Sequence, residues 1–97
     1  MKYRVTLSPQ ARTHFHELCA YDRAKVRDAI DDHLQRNPTV ESKSRIKRLR
    51  DLRKPQYRLR VDDLRVFYDV EQDEVVVHGI VEKNHAENWL AETGERT

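Results

Sequence analysis

The chain has 97 residues, enough for a single domain, residues 1–97, with one modest hydrophobic core. Hydrophobic and charged residues each make up 37% of the chain, a polar composition that is nevertheless too regularly patterned for a disordered protein. One cysteine excludes a disulfide framework, and the sequence shows neither a secretory signal nor an apolar run near the ~20 residues of a membrane span, so we expect a cytoplasmic protein that does not bind a membrane.

The first half of the chain predicts a strand followed by a helical hairpin. Apolar residues alternate with polar ones at positions 3, 5 and 7, as in a half-buried strand. Ser8 is a good N-cap and Pro9 suits the first position of a helix. A second helix is expected to begin near Asp22 and to end near Asn37, because Pro38 disfavours the helical conformation before it.

The second half predicts mainly strands. Residues 39–54 are expected to form a loop with a short strand or helical turn, and strands at about 57–61, 64–70 and 74–81 form an antiparallel meander. A short helix then closes the chain. The predicted fold class is α+β: an N-terminal strand, an antiparallel helical hairpin packed on one face of a four-stranded, mainly antiparallel sheet, and a short C-terminal helix.

Charge is sorted along the chain. Residues 43–65 carry 10 basic and 3 acidic side chains, a net charge of +7, whereas residues 66–97 carry a net charge of −6. This segregation predicts an anionic partner for the middle third. The candidate nucleic-acid-binding residues of its first part are Lys47, Arg48, Arg50 and Lys54.

Three arginines are predicted to share one face of the meander. If residues 62–63 form a two-residue turn, Arg60 lies directly opposite Arg65, and Arg58 lies opposite Phe67. Like charges that face each other across a ladder destabilise a sheet by up to about 1 kcal/mol. Folding does not require that cost, and a bound anion would reverse it.

The third strand of the meander is predicted to add an imidazole to this face. With a four-residue turn at 71–74, His78 faces Phe67, and Ile80 shares the arginine face while Gly79 lies on the core side. Guanidinium groups bind phosphate bidentately and stack on bases. Together with an aromatic ring and an imidazole, they suit a nucleic-acid backbone with an unstacked base.

The segment YRLRVDDLRVFYDVEQDEVVVHGIVEK, residues 57–83, resembles the core of the RelE/ParE toxin superfamily of bacterial toxin–antitoxin modules. The helix start SPQA, the two-helix hairpin and the chain length also resemble that family, so the likeness covers essentially the whole chain. The resemblance implies a compact, microbial ribonuclease-like fold. Its RelE branch implies cleavage of messenger RNA in the ribosomal A site, by attack of a ribose 2′-hydroxyl on the adjacent phosphate.

The resemblance also implies site residues. By position, the family's catalytic groups fall on Arg58, Arg60, Arg65 and either Lys83 or His85, with Trp89 near the usual C-terminal aromatic residue. Many ribosome-dependent members have lysines at the first two positions, and an arginine binds phosphate but is a poor proton acceptor. His85 is therefore the first candidate for proton transfer, because an imidazole titrates near neutral pH, and Lys83 is the second.

The function implied by the resemblance is that of a type II toxin: a ribosome-dependent, metal-independent mRNA endoribonuclease neutralised by a cognate antitoxin, with the ribosome and mRNA as further partners. Two alternatives stay open, a ParE-type inhibitor of DNA gyrase and a catalytically inactive module that binds RNA or an antitoxin. No cofactor is expected. No metal is expected either, because His14 and His16 point apart on a helix and no cysteine or carboxylate cluster completes a site.

Overall fold

The computed structural model describes residues 2–96, and the α+β fold is confirmed. Two helices follow the first strand, and most of the later chain forms strands. The helices are α1 (Pro9–Glu17), α2 (Ala20–Ala29, extended by a π turn at Ile30–Leu34) and α3 (Ala86–Thr93), which follows a 3₁₀ turn at Lys83–His85. The strands are β1 (Arg4–Leu7), β2 (Ile46–Arg48), β3 (Leu52–Lys54), β4 (Tyr57–Val61), β5 (Leu64–Glu71), β6 (Glu74–Glu82) and β7 (Glu95–Arg96).

The main sheet has five strands in the order β1-β6-β5-β4-β2 rather than the four expected. The meander β4-β5-β6 is antiparallel as predicted, and β1 adds to β6 in parallel. The extra strand, β2, lies in the segment that we expected to be mostly loop and pairs with β4. The short strands β3 and β7 form a separate two-stranded sheet, which ties the C-terminus to the segment before β4.

The helical hairpin follows the local signals at its start but not at its middle. The Ala11 amide donates to Ser8 Oγ at 3.1 Å, so Ser8 caps α1 as predicted, with Pro9 in the first turn. The second helix begins at Ala20 with Cys19 as its N-cap, earlier than the expected start near Asp22.

Among residues 2–96, no helix combines the length and apolar composition needed to cross a bilayer.

The core lies between the hairpin and the facing side of the meander. Leu59, Val66 and Tyr68 are fully buried, and the Tyr68 ring stacks on Tyr57 with centroids 5.4 Å apart. The Tyr68 hydroxyl donates to the Pro38 carbonyl at 2.6 Å, and burial raises the pKa of this phenol. The other side of the same strands, which carries Phe67, does not belong to this core cluster.

A β-bulge in β6 corrects one part of the predicted register. Tyr68 faces Val77 as expected, but Phe67 then faces Gly79, so His78 is the extra residue and does not face Phe67. Beyond the bulge the faces are exchanged: Gly79 lies on the arginine side, and Ile80 is buried in the core. The sequence alternates smoothly through this point, so periodicity alone could not reveal the inserted residue.

Candidate nucleic-acid interface

Strands β4 and β5 bring the three predicted arginines together. The cross-strand pairs are Arg60 with Arg65 and Arg58 with Phe67, as the two-residue turn predicted. The turn closes because Asp62 adopts φ 53°, a left-handed conformation that aspartate tolerates better than most residues. We call this side of the sheet, defined by Arg58, Arg60 and Arg65, the arginine face.

The charges on the arginine face are not neutralised. None of the three guanidinium groups forms an ion pair with a carboxylate from residues 2–96. Burial, and then the nearby charge of Arg60, lowers the pKa of Arg58. Burial also lowers the pKa of Arg65, followed by the charges of Arg58 and Arg60, against a smaller opposing effect of Asp63. The groups repel each other, and an anion between them would relieve that repulsion.

Arg65 is held in place by the backbone. The residue is only 9% exposed, and its Nη1 donates to the carbonyl oxygens of Asp62 at 2.9 Å and Leu64 at 3.0 Å. Arg58 is half-buried, and its Nε is a buried donor without a partner among the described residues. Arg60 is exposed. The face therefore combines a fixed guanidinium with two cations that are less constrained.

The predicted stacking surface on Phe67 is covered. Phe67 is 1% exposed because the Trp89 ring of α3 stacks on it, with centroids 5.1 Å apart and an interplanar angle of 15°. Gly79 makes this contact possible, since a Cβ there would lie 2.4 Å from Trp89 Cζ2. Phe67 thus supports the Trp89 ring in this structure and is not open to a base, contrary to the expected role.

His78 is held by an acid that the sequence analysis did not single out. Its Nε2 lies 2.9 Å from Asp69 Oδ2, and the Asp69 side chain is 6% exposed. The Asp69 carboxylate also accepts a hydrogen bond from the backbone amide of Gln56 at 2.7 Å. The sequence did contain a signal for this pair, because Asp69 is an acidic residue at an alternate position of β5 on a face that is otherwise cationic. The pair lies two residues along β5 from Phe67, and His78 shares a cavity of about 180 Å³ with Lys54 and Trp89.

Lys83 and His85 lie in the 3₁₀ turn that follows β6, and both are exposed. The Lys83 amide donates to the Asp63 carbonyl at 2.7 Å, so this turn sits beside the β4–β5 turn, at the end of the sheet that carries Arg65. The candidate proton-transfer residues and the pair Arg60 and Arg65 are thus brought to one end of the sheet, whereas Arg58 lies further along β4. The number of residues between the 3₁₀ turn and the arginines in the sequence did not predict that they would lie close together.

The other basic candidates divide between two surfaces. Lys47 lies directly opposite Arg58 and joins the arginine face. Arg48 points to the other side, with its guanidinium 5.1 Å from the centre of the Tyr57 ring. Arg50 is paired with Glu41 at 3.0 Å, and this hydrogen bond, followed by one from the Arg48 backbone amide, lowers the pKa of Glu41 to about 2. Neither Arg48 nor Arg50 is therefore gathered with the three arginines.

Within residues 2–96, no group of three side chains is arranged to hold a metal ion.

A family model described as the ParE toxin of the type II toxin–antitoxin system parDE matches residues 5–88. No curated protein matches the chain.

The solved structures that share the fold include the following three. The toxin–antitoxin complex RelBE2 from Mycobacterium tuberculosis is 23% identical with a TM-score of 0.70, covering 84% of this chain and 99% of that one. The archaeal RelE–RelB complex from Pyrococcus horikoshii is 22% identical with a TM-score of 0.69, covering 86% and 97%. The RelB–RelE complex from Methanococcus jannaschii is 14% identical with a TM-score of 0.67, covering 86% and 95%.

Proposed function

The chain belongs to the ParE toxin family of type II toxin–antitoxin systems, within the RelE/ParE superfamily, and from this premise we propose that it arrests translation by cutting messenger RNA on ribosomes. The observation that carries the proposal is the arginine face itself. Three guanidinium groups converge there without a carboxylate partner from residues 2–96, and one of them is fixed by two backbone carbonyls. Guanidinium groups arranged in this way are suited to bind a phosphate.

The proposed reaction is a transesterification within the RNA. The ribose 2′-oxygen forms a bond to the adjacent phosphorus, its proton leaves, and the bond from phosphorus to the 5′-oxygen breaks as that oxygen gains a proton. Arg58, Arg60 and Arg65 stabilise the negative charge that develops on the phosphate oxygens. Because Arg65 is already oriented, little reorganisation is needed when that charge develops.

Proton transfer in this proposal falls to the 3₁₀ turn. His85 is the first candidate and Lys83 the second, since both are exposed beside the arginine end of the sheet. Arginine cannot fill this role at neutral pH because it stays protonated in proteins. The ribosome is expected to complete the site, by ordering the messenger around these side chains.

We further propose a cognate antitoxin as the partner that silences the toxin. Two solved structures that share this fold are described as complexes of a toxin with an antitoxin, and a third is described as a RelE–RelB complex. Residues 43–65 carry a net charge of +7, which favours an acidic partner segment over this surface.

A second candidate function is gyrase inhibition by binding alone. It is favoured because the matching family model is that of ParE toxins, and because the strand positions carry arginines that can bind but cannot accept a proton. A catalytically inactive module that binds RNA or an antitoxin is the remaining alternative.

Induced expression with pulse-labelling of protein and DNA synthesis separates these functions. We expect protein synthesis to stop first, with new mRNA 5′ ends at ribosome-occupied sites. DNA breaks with loss of supercoiling would establish the gyrase alternative instead, and normal growth would leave only the inactive module.

Arg65→Ala tests the site. Loss of one preorganised donor to a developing oxyanion costs about 10²–10³ in rate, so this variant should relieve growth arrest while it still binds the antitoxin. Arg12→Ala is the matched control, because Arg12 is an exposed arginine of α1 on the helical layer. Full toxicity of Arg65→Ala would refute the assignment of the site.

A further inference from the structure

The cations of the arginine face continue onto the edge strand of the sheet. Lys47 of β2 lies directly opposite Arg58. One residue before β2, the Arg45 carbonyl accepts from the Arg60 amide at 2.9 Å, so the ladder also places Arg45 beside Arg60. Two rows of cations therefore run across neighbouring strands, Arg45–Arg60–Arg65 and Lys47–Arg58.

These rows have more positive charge than the chain neutralises. Arg45 and Lys47 are exposed, and neither forms an ion pair with a carboxylate within residues 2–96. The acids beside the first row are Asp62, whose carboxylate is already bound to Lys25, and Asp28 and Asp32 of the second helix, which line a concavity with Arg45 but form no ion pair with it. The pKa of Asp62 is lowered by Lys25 first and then by Arg45 and Arg60, so one carboxylate lies among three cations.

The surface between the cations has room for an anion. Arg45 and Arg60 line a concavity of about 270 Å³ together with Ser44 and Asp62. Along a strand, residues on the same face repeat at about 6.6–6.8 Å, and adjacent strands lie about 4.8 Å apart. Cations on such a grid present several separate sites to a chain with one charge per unit, as in a nucleic-acid backbone.

We propose that β2 extends the arginine face, and that Arg45 and Lys47 bind backbone phosphates of single-stranded RNA next to the scissile one. The inference rests on the proposed function and adds a residue, Arg45, and a direction: the bound strand runs across β5 and β4 towards the β2 edge. Alternating cations also suit an acidic peptide, and binding of such a peptide in place of RNA contradicts the inference.

The test is the salt dependence of binding. The purified toxin is titrated with a short 2′-O-methyl oligonucleotide, which cannot undergo 2′-hydroxyl attack, and Kd is measured by fluorescence anisotropy at several salt concentrations. Each phosphate contact to a single strand contributes about 0.7 to the slope of log K against log salt. Removing both cations in Arg45→Ala/Lys47→Ala should lower the slope by about 1.4, which makes the loss of affinity between about 50 and about 200 mM salt about sevenfold smaller than in the wild type.

The matched control is Arg12→Ala/Arg36→Ala, which removes two exposed arginines outside the arginine face and should leave the slope unchanged. The β2 variant should unfold at the same temperature as the wild type or higher, because it removes cross-strand repulsion.

Three outcomes are decisive against the inference. If the wild type binds and the β2 variant keeps the full slope, the inference fails while the proposed function stands. If the variant loses affinity for poly-glutamate but not for the oligonucleotide, β2 binds an acidic protein segment instead. If the wild type shows no salt-dependent binding to the oligonucleotide, the inference fails, whereas the proposed function fails only if induced toxin produces no new mRNA 5′ ends on ribosomes.

Discussion

Gly79→Ala tests how α3 is attached to the sheet. The added Cβ would lie 2.4 Å from Trp89 Cζ2, 2.8 Å from Cε2 and 2.9 Å from Cη2, all below any normal carbon–carbon contact. These atoms belong to the rigid indole ring, so a small adjustment of a flexible chain end cannot relieve the clash. The ring must move away from Phe67, and α3 must move with it.

The loss in free energy of unfolding follows from the contacts that Gly79→Ala disrupts. Overpacking a well-packed site costs about 1–3 kcal/mol, and loss of the Trp89–Phe67 stack adds about 0.5–1.5 kcal/mol. Replacing glycine restricts the unfolded chain and returns about 0.4–1 kcal/mol. The expected net loss is about 2 kcal/mol, which for a domain of this size lowers Tm by about 8–16 °C.

The assay is urea unfolding followed by fluorescence. Trp89 is the only tryptophan in the chain, so its emission reports on this contact alone and should shift to the red in folded Gly79→Ala. The control is a double-mutant cycle whose urea unfolding is followed by far-UV circular dichroism, because the Trp89→Ala background lacks the fluorophore: in that background, Gly79→Ala should cost almost nothing, because the clashing ring is absent. Unchanged emission and stability in Gly79→Ala, or an equal cost in both backgrounds, would refute the reasoning.

Two further predictions concern groups that support the sheet. Asp69→Ala leaves the Gln56 amide and His78 without their buried acceptor, and it should cost about 3 kcal/mol by urea unfolding; a loss below about 1 kcal/mol would mean that water replaces the carboxylate. His14 Nδ1 accepts from the Ile80 amide, and burial lowers the pKa of this imidazole below its usual 6.5. Because the folded state favours neutral His14, its contribution is complete above the unfolded pKa of about 6.5 and is lost as the pH falls below it; a His14→Leu variant should show a flatter pH dependence of unfolding, and an unchanged dependence would contradict this.

Most of the fold could be predicted from the sequence because the periodicities that specify it are local. Alternation and the Asp62-Asp63 turn predicted the β4–β5 register, including the facing pair Arg60 and Arg65. Ser8 and Pro9 predicted the start of α1. In each case the deciding interaction joins residues that are close in the chain, so the physical cause can be read from the residues themselves.

Tertiary structure decided what covers the arginine face and what extends it. The bulge at His78 reverses the facing of Gly79 and Ile80, and this depends on how β6 packs against β5 and α3. The burial of Phe67 depends on Trp89, which is 22 positions away in the sequence numbering. Likewise, Arg45 and Lys47 join the cation rows only because β2 pairs with β4.

The chain by itself therefore determined which residues alternate, where the helical hairpin begins and which arginines share a strand face. Only the packed structure decided which of those side chains stay accessible, because accessibility depends on contacts between segments that no local pattern relates. A β-bulge, an edge strand and a docked helix each change which side chains are buried in the core, covered by another element or exposed.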